Sequence, residues 1–329
     1  MKWIIFYQIK NMATAEKKQP SVIVILGPTA SGKSALALAV AKKIGGEIIS
    51  ADSRQIYREF DIGAAKPSES ALGEIRHHFV NEKNIGEPFT AGDFATEAAE
   101  RIITLHRRGK RAVVAGGSTL YLEGLIEGFA DLPPANPEIR ARLLGELEEE
   151  GNEKLYAKLF ERDPDQAATL DPTKSQRLIR SLEIIEITGL SVTELQARAK
   201  KRQHGDLCFV TTGLAMERAT LYQRINHRTD NMIDAGLYDE AKGLYHKYHK
   251  LIASGKVSSL QSVGYQEFFQ YLDGMISFDD AVRLIKQHTR NYAKRQLTFF
   301  HNRLSVNWTD APLNSKELDS LAERLSKGP

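Results

Sequence analysis

A glycine-rich segment that could hold a polyphosphate lies near the start of the sequence. It consists of Gly27, Pro28, Thr29, Ala30, Ser31, Gly32, Lys33 and Ser34. Glycines let backbone N–H groups curl around an anion, and the positive end of a following helix would point at it. Lys33 would neutralise phosphate charge, and the Ser34 hydroxyl could bind Mg²⁺. The pattern predicts a phosphate-binding loop, without indicating which phosphate compound it holds.

A carboxylate, Asp52, comes directly after residues 47–51, which are predicted to form the second parallel strand. In a doubly wound sheet, ligands bind at the carboxyl ends of the parallel strands, so we expect Asp52 near the phosphate loop. Its position leaves three roles open. It could be a ligand of Mg²⁺, a general base, or a cap of the turn that follows.

A third strand end carries glycines and hydroxyls in place of a carboxylate. The run Lys110–Ala115 is followed by Gly116, Gly117, Ser118 and Thr119. Glycines at a strand end permit close approach of a ligand to the backbone. The missing acidic residue argues against a motor ATPase, whereas a small-molecule kinase stays possible.

The elements that must position these residues form an α/β protein with more than one part. Residues 1–20 read as a disordered extension, and 21–130 as the first part of a P-loop NTPase-like parallel sheet core. Three prolines within 131–137 mark a boundary, and 131–205 shows only helical patterns, which predicts a helical insertion domain. Residues 206–329 would contain the last core strand followed by basic helices to the end of the chain.

Composition narrows the class of protein. The chain has 329 residues, 42% of them hydrophobic, a single cysteine and a formal net charge of +3. One cysteine excludes an internal disulfide and fits the reducing cytoplasm. The apolar run 3–9 is too short to cross a bilayer, so we expect no membrane association.

Cationic helices in the last third of the chain favour an anionic partner. Arg218, Arg224 and Arg228 recur on one predicted helix, and residues 281–309 contain no acidic residue. Tyr292, Phe299 and Trp308 are interleaved with the cations of that stretch. Such a pattern is typical of binding to a nucleic-acid backbone with stacked bases, although a merely basic surface helix would look similar.

The ordered set of motifs resembles the bacterial tRNA dimethylallyltransferase family over about residues 21–303. The motifs are residues 27–34, Asp52-Ser53-Arg54-Gln55-Ile56-Tyr57, Asp61-Ile62-Gly63, Ala65-Lys66-Pro67, Gly116-Gly117-Ser118, Leu120-Tyr121, Gln176 to Arg180, Val263-Gly264-Tyr265 and Tyr292-Ala293-Lys294-Arg295-Gln296. The segment that begins at Asp52 and the Lys294-Arg295-Gln296 helix are distinctive of that family, whereas the phosphate loop is common to many.

The resemblance implies transfer of a dimethylallyl group from dimethylallyl diphosphate to the exocyclic amine of adenine at position 37, in the anticodon stem-loop of tRNA, with Mg²⁺. Asp52 would then be the general base, and the phosphate loop would grip the diphosphate leaving group. Ser118 matches a threonine that touches the target nucleotide, and Arg224 an arginine that helps to hold the diphosphate. One protein per tRNA would suffice, which favours a monomer.

The resemblance also implies a set of tRNA contacts. They are Asp52, Ser53, Arg54, Gln55, Ser118, Arg140, Gln176, Arg177, Leu178, Ile179, Arg180, Gln261, Ser262, Val263, Gly264, Tyr265, Gln266, Lys294, Arg295, Gln296 and Phe299. The pair Ser118-Thr119 departs from the family, which usually has threonine followed by a small or apolar residue. A related enzyme that prenylates free adenine nucleotides is a further alternative, but it would have little use for the helical insertion.

Overall fold

A computed structural model of the chain describes residues 21–130, 132–198, 207–255 and 257–327. The disordered extension expected over 1–20 lies outside the described residues. The described chain forms two compact units. One is helical and lies within Glu127–Gln203, and the other is an α/β unit that contains the residues before and after it.

The α/β unit is built on one parallel sheet. Its strands are β1 (Val22–Leu26), β2 (Glu47–Ala51), β3 (His77–His78), β4 (Ala112–Gly116), β5 (Phe209–Ala215) and β6 (Asn307–Asp310). They lie in the order β3-β2-β4-β1-β5-β6, and each neighbouring pair is parallel. All the carboxyl ends therefore meet at one edge, where the predicted phosphate loop and Asp52 both begin. The prediction of a P-loop-like parallel core is confirmed.

Helices cover both faces of the sheet. The first four are α1 (Lys33–Ile44), α2 (Glu69–Glu74), α3 (Ala91–Arg107) and α4 (Thr119–Ile126). The helical unit contributes α5 (Pro137–Arg162), α6 (Pro164–Ala168), α7 (Ser175–Thr188) and α8 (Val192–Arg198). The α/β unit then continues with α9 (Arg218–Asp234), α10 (Leu237–Ser254), α11 (Gln266–Leu272), α12 (Phe278–Arg303) and α13 (Ser315–Ser326).

Side chains of the central strands point alternately into two apolar clusters. Ile25 and Val113 pack with Val40 of α1 on one face, whereas Leu26 and Val114 pack on the other. Because both faces are covered, β1 is buried along its whole length. This explains why its sequence is continuously apolar instead of alternating.

The helix ends follow local capping chemistry. The Thr90 and Asp93 side chains form a capping box at the start of α3, and Ser277 accepts from the backbone N–H of Asp280 at the start of α12. Gly45 ends α1 in the left-handed conformation.

The prediction of helix from the last core strand to the chain end is wrong at Asn307–Asp310. That segment is β6, which pairs with the outer edge of β5. Gly213 of β5 makes room for it, because a Cβ there would lie 2.5 Å from Val306 and 2.7 Å from the Trp308 ring. Trp308 also stacks on His301 with ring centroids 4.2 Å apart, so packing occupies the ring predicted to stack on bases.

The helical unit has its own apolar core and, in its described residues, no strand. Leu178, Leu182 and Ile185 of α7 are buried in that core, as their spacing predicts. Within the described parts of the chain, no helix is both long and apolar enough to span a bilayer.

Candidate active site

The phosphate loop joins β1 to α1 and has the backbone geometry that its glycines allow. Gly27 has φ 149° and Gly32 has φ 92°, and Gly32 is the N-cap of α1. A side chain at either position would strain the backbone. The Lys33 ammonium donates to the carbonyl of Pro28 at 2.7 Å, so it folds back over the loop that precedes it in sequence.

Two arginines of α9 join Lys33 around one cavity. Arg224 and Arg228 lie one helical turn apart, and both line a first cavity of about 580 Å³ together with the phosphate loop. Arg228 donates from Nη1 to Thr29 Oγ1 at 3.2 Å. Among the described residues, Arg224 Nη1 is buried and has no hydrogen-bond partner. A buried guanidinium N–H without a partner is suited to an anionic ligand.

The structure therefore places the predicted Arg224 at the loop and adds Arg228, which the sequence analysis did not assign to the site. The i, i+4 spacing of the two arginines is the signal that would have found it. Arg218, the third arginine of the predicted set, lies apart from this cavity. It is exposed, and its guanidinium is 5.2 Å from the centroid of the Tyr222 ring.

The cations of the cavity affect one another. Burial and then the charge of Arg228 lower the pKa of Lys33 to about 7, although the nearby Asp52 carboxylate acts in the opposite direction. Burial also lowers the pKa of Arg228, again opposed by Asp52. An anionic ligand would relieve this repulsion, so the cavity is electrostatically prepared for one.

Asp52 caps the turn that follows β2 and also lines the first cavity. Its Oδ1 accepts the backbone N–H of Arg54 at 2.8 Å and that of Gln55 at 3.3 Å. The capping role considered for Asp52 is thus present. It does not exclude chemistry, because a carboxylate has several acceptor positions on two oxygens.

Ser118 positions the same turn from the end of β4. Its Oγ accepts the backbone N–H of Ser53 at 2.9 Å, and its own N–H donates to the carbonyl of Ala51 at 3.1 Å. Glycine is required at position 116 by the close approach of β2, since a Cβ on Gly116 would lie 2.1 Å from the Ala51 oxygen. The hydroxyl of Ser118 therefore binds the backbone of the residue that directly follows Asp52 in sequence.

Asp52 also lines a second cavity, of about 360 Å³. Its lining includes Ser53, Arg54 and the segment from Gln261 to Tyr265, which the family resemblance assigns to tRNA contacts. The Arg54 Nε donates to Ser262 Oγ across it. The residues shared by both cavities are Thr29, Ala30, Asp52, Ala64, Arg228 and Tyr292. Gln266 stands just beyond this lining, where its side-chain amide donates to Glu267 Oε1 at 2.8 Å.

Tyr292 is the aromatic side chain between the cavities. Burial and the Asp52 carboxylate raise the pKa of its phenol to about 12. The ring is therefore uncharged at neutral pH, and it is not a candidate for the base.

Gln296 connects the phosphate loop to the glycines after β4. Its Oε1 accepts the backbone N–H of Thr29 at 2.8 Å, and its Nε2 donates to the carbonyl of Gly117 at 2.7 Å. The side chain is 2% exposed. Its tRNA contact stays a prediction, whereas the geometry gives it a positioning role between two loops that are far apart in sequence.

We expect Gln296→Leu to destabilise the fold by about 1–3 kcal/mol for each buried polar group left without a partner. The KM for the ligand of the phosphate loop should rise as well, because Thr29 N–H loses its anchor. Urea unfolding and steady-state kinetics measure the two effects. Gln287→Leu, at an exposed position of the same helix, is the matched control. Equal behaviour of the two variants would contradict the positioning role.

The loop after Phe60 lines both cavities and is held by α10. Glu240 accepts the backbone N–H groups of Ile62 at 2.7 Å and Gly63 at 3.1 Å, and it accepts the Tyr265 hydroxyl at 2.5 Å. Gln55 holds the loop from the opposite side, donating to the carbonyl of Ala65 at 3.1 Å. The Gln55 side chain is thus buried and hydrogen-bonded within the protein. Its contact with tRNA stays a prediction.

Replacing Gly63 by alanine is expected to cost about 1–3 kcal/mol of unfolding free energy, because overpacking forces neighbours to move. A Cβ on Gly63 would lie 2.4 Å from Tyr265 atoms, and that ring is 1% exposed and stacked on Phe60. Thermal unfolding measures the effect. Gly73→Ala is the control, since a Cβ there meets nothing within 4 Å. A Tm for Gly63→Ala equal to that of the control would show that the loop is not tightly held.

The basic helix α12 has fewer free cations than its sequence indicates. Lys286 pairs with Asp230 of α9, and Arg303 pairs with Glu123 of α4. These acids come from other elements, which is why a scan along the helix did not show them. Among the described residues, no carboxylate pairs with Lys294 or Arg295. With the partly buried Phe299, they line a surface groove along the helix.

In the helical unit, the predicted tRNA contacts have two different environments. Gln176 and Arg177 are exposed, whereas Leu178 and Ile179 are buried in the core of the unit. The remaining two, Arg140 and Arg180, both bind the buried carboxylate of Glu183, at 2.8 Å and 2.7 Å. Glu183 also accepts the backbone N–H of Asn136 at 2.8 Å. The two arginines thus hold the unit together, and their contact with tRNA stays a prediction.

The metal site predicted at Ser34 can be tested against the groups around it. Ser34 lies exposed in the first turn of α1 and lines the first cavity together with Asp52. Within the described ranges, no group of three or more histidine, cysteine or acidic side chains could form a metal cage. Mg²⁺ commonly uses few protein ligands besides phosphate oxygens and water, so the donor set fits Mg²⁺ bound together with a diphosphate.

Comparison with known proteins gives consistent matches. The model of the family described as IPP transferase matches residues 55–303. The tRNA dimethylallyltransferase of Chlorobium limicola is 60% identical over 300 residues, covering 91% of this chain and 94% of that protein. The tRNA dimethylallyltransferase of Chlorobium chlorochromatii is 57% identical and covers 95% of this chain and 99% of that protein.

Solved structures agree with these matches. The tRNA isopentenylpyrophosphate transferase of Bacillus halodurans superposes with a TM-score of 0.67 at 35% identity, covering 93% of this chain and 96% of that one. A eukaryotic dimethylallyltransferase acting on tRNA superposes with a TM-score of 0.79 at 29% identity, covering 92% of this chain and 77% of that one.

Proposed function

The chain belongs to the IPP transferase family, and from that premise we propose that it is a tRNA dimethylallyltransferase. The reaction moves the dimethylallyl group of dimethylallyl diphosphate to the exocyclic N6 amine of adenine 37 in tRNA and releases diphosphate. One observation carries the proposal. Asp52 lines two cavities. The first contains the phosphate loop and three cations, and the second is lined by residues predicted to contact tRNA.

The prenyl donor binds in the first cavity. Its diphosphate lies on the loop N–H groups at the start of α1, with Lys33, Arg224 and Arg228 around it. As the C1–O bond breaks, the electron pair leaves with the diphosphate and positive charge develops on the allylic carbon. The cations stabilise the departing oxygens, an electrostatic effect that is large where donors are already positioned.

The acceptor base enters the second cavity. A base inside an anticodon loop reaches an enclosed site only after it has swung out of the stack. Its N6 lone pair forms the new bond to C1, and Asp52 accepts a hydrogen bond from the amine and then takes its proton. Ser118, which holds the turn beside Asp52, orients this carboxylate toward the acceptor.

When bound, Mg²⁺ would neutralise charge on the diphosphate oxygens, with Ser34 as its protein ligand. One protein molecule per tRNA would suffice for this reaction, which favours a monomer as the active form. A tRNA substrate supports action in the cytoplasm. In the α/β unit, Lys294 and Arg295 are the cations that best fit phosphate contacts, and in the helical unit it is Arg177.

The direct test is incubation of the protein with unmodified tRNA and dimethylallyl diphosphate labelled in the allyl group. Label should appear on the tRNA, and nuclease digestion should recover it as N6-dimethylallyladenosine from position 37. Two controls separate rival activities: adenosine monophosphate in place of tRNA, and ATP in place of the prenyl donor. Absence of label on tRNA, or faster labelling of the mononucleotide, would overturn the proposal.

A further inference from the structure

The first cavity extends well beyond the phosphate loop, and we propose that this extension binds the hydrocarbon tail of allylic diphosphates longer than dimethylallyl diphosphate. The inference rests on the proposed function, because it assumes that a diphosphate occupies the loop. It concerns which donors the site admits, with geranyl diphosphate, one isoprene unit longer, as the probe.

The extension reaches far from the reacting centre. Ile48 of β2 lines the same cavity as Asp52 and precedes it by four residues. At the rise of a strand, this is a depth of about 13 Å. The dimethylallyl group spans only a few carbon–carbon bonds, so a donor with its C1 beside Asp52 leaves the inner part of the cavity unused.

Part of the wall of the extension consists of aliphatic side chains. Leu38 of α1, Ile48, Ala64 and Ala71 of α2 line it. Two of the polar side chains that border it bind each other, since Ser50 Oγ donates to Gln55 Oε1 at 2.9 Å. Hydrocarbon is therefore the chemistry that this space accepts with least cost.

Among the described residues that line the cavity, none at the far end of the extension is charged at neutral pH. His77 lies there, and one of its ring nitrogens is 2.8 Å from the carbonyl of Ile75. Burial lowers the pKa of His77, so the ring is neutral at neutral pH. A second diphosphate or a nucleotide phosphate would have no partner at this end, whereas the cations are concentrated at the loop.

The tail and the acceptor do not compete for space. The base arrives through the second cavity, and of the residues that line the extension only Ala64 also lines that cavity. A longer tail can therefore lie along the sheet toward Ala71 while C1 stays at the junction.

The experiment measures inhibition of dimethylallyl transfer to tRNA by geranyl diphosphate, with inorganic diphosphate as the reference inhibitor. We expect competition against dimethylallyl diphosphate, with geranyl diphosphate binding about tenfold or more tightly than inorganic diphosphate, because the tail buries apolar surface. Ala71→Phe fills the extension and should abolish this advantage, measured as the ratio of the two inhibition constants within the variant. Ala71→Leu is the smaller plug and should give an intermediate loss.

Ser70→Phe is the matched control, since it adds the same ring at an exposed neighbouring position. It should leave both inhibition constants unchanged. Equal inhibition by geranyl diphosphate and inorganic diphosphate in the unaltered enzyme would overturn the inference, and so would an advantage that survives Ala71→Phe. Failure of the proposed function gives a different result, namely no transfer of dimethylallyl label to tRNA in any variant.

Discussion

Replacing Asp52 by asparagine is expected to lower kcat for dimethylallyl transfer by about 10²–10⁴-fold, the usual contribution of a positioned general base. Asparagine keeps an Oδ1 that can accept the backbone N–H groups of Arg54 and Gln55. It cannot take the proton from the N6 amine of adenine. The substitution thus separates the two roles that the structure combines in one side chain.

The control for this prediction is a measurement of the variant's stability. Asp52→Asn should retain the Tm of the unaltered protein. At a pH well below 7, where Lys33 is charged, it should also retain the KM for dimethylallyl diphosphate, whereas nearer pH 7 the loss of the Asp52 charge lets the Lys33 pKa fall further. Asp52→Ala removes the cap as well and should cost a further ~0.5–2 kcal/mol of stability. If Asp52→Asn keeps full activity, or if activity falls only in proportion to stability, the carboxylate is a cap and not a base.

The sequence was sufficient to predict those parts of the site that depend on local chemistry. Gly27 and Gly32 have the backbone angles that demand glycine, and Asp52 follows a buried strand. In a parallel sheet these two facts place the loop and the carboxylate at the same edge, because all carboxyl strand ends meet there. No knowledge of distant contacts was required.

The sequence did not predict the contacts between distant segments. Gln296 bonds Thr29 across 267 residues, and Glu240 holds the N–H of Ile62 across 178 residues. Polar side chains of this kind look like ordinary surface residues until the helix that carries them is placed. The same holds for β6, a short edge strand whose residues alternate too little to be distinguished from a turn.

Burial also changes the meaning of residues that the family resemblance had placed on the RNA. Leu178 and Ile179 follow two exposed polar residues on α7, yet both are packed inside. A match to a family motif identifies which sequence position corresponds to a contact. The direction of the side chain at that position follows from the 3.6-residue period of the helix. RNA contacts of this segment should therefore come from Gln176 and Arg177 rather than from the two apolar residues.

Removing the charge of Lys33 is expected to have the second largest effect. Lys33→Met should lower kcat/KM for dimethylallyl diphosphate by about 10²–10³-fold, comparable to the loss of one positioned donor in other active sites. Lys33 is the cation carried by the loop itself, and its ammonium lies over the Pro28 carbonyl. Arg224 and Arg228 remain in the variant, so diphosphate binding should be weakened and not abolished.

The pH dependence of the same residue gives a sharper test. Burial and Arg228 lower the Lys33 pKa to about 7, so the free enzyme carries a charged Lys33 below this pH and a neutral one above it. An anionic donor binds the charged form of Lys33 better. The kcat/KM for the donor should therefore fall as pH rises above about 7. Below that pH, the titration of Lys33 should no longer change it. The neighbouring Asp52 carboxylate opposes this lowering, and bound diphosphate should restore a higher pKa.

Two variants distinguish this origin from other titrating groups. Lys33→Arg keeps a cation that stays charged across the whole range, so the decline above neutral pH should disappear while donor binding is retained. Lys33→Met should also show no decline, but at the low activity described above. The titration must be followed in the KM for dimethylallyl diphosphate at saturating tRNA, because the pKa concerns donor binding. If the decline persists unchanged in Lys33→Arg, it arises from the substrate or from another side chain. Lys33 would then be charged over the whole measured pH range in the free enzyme.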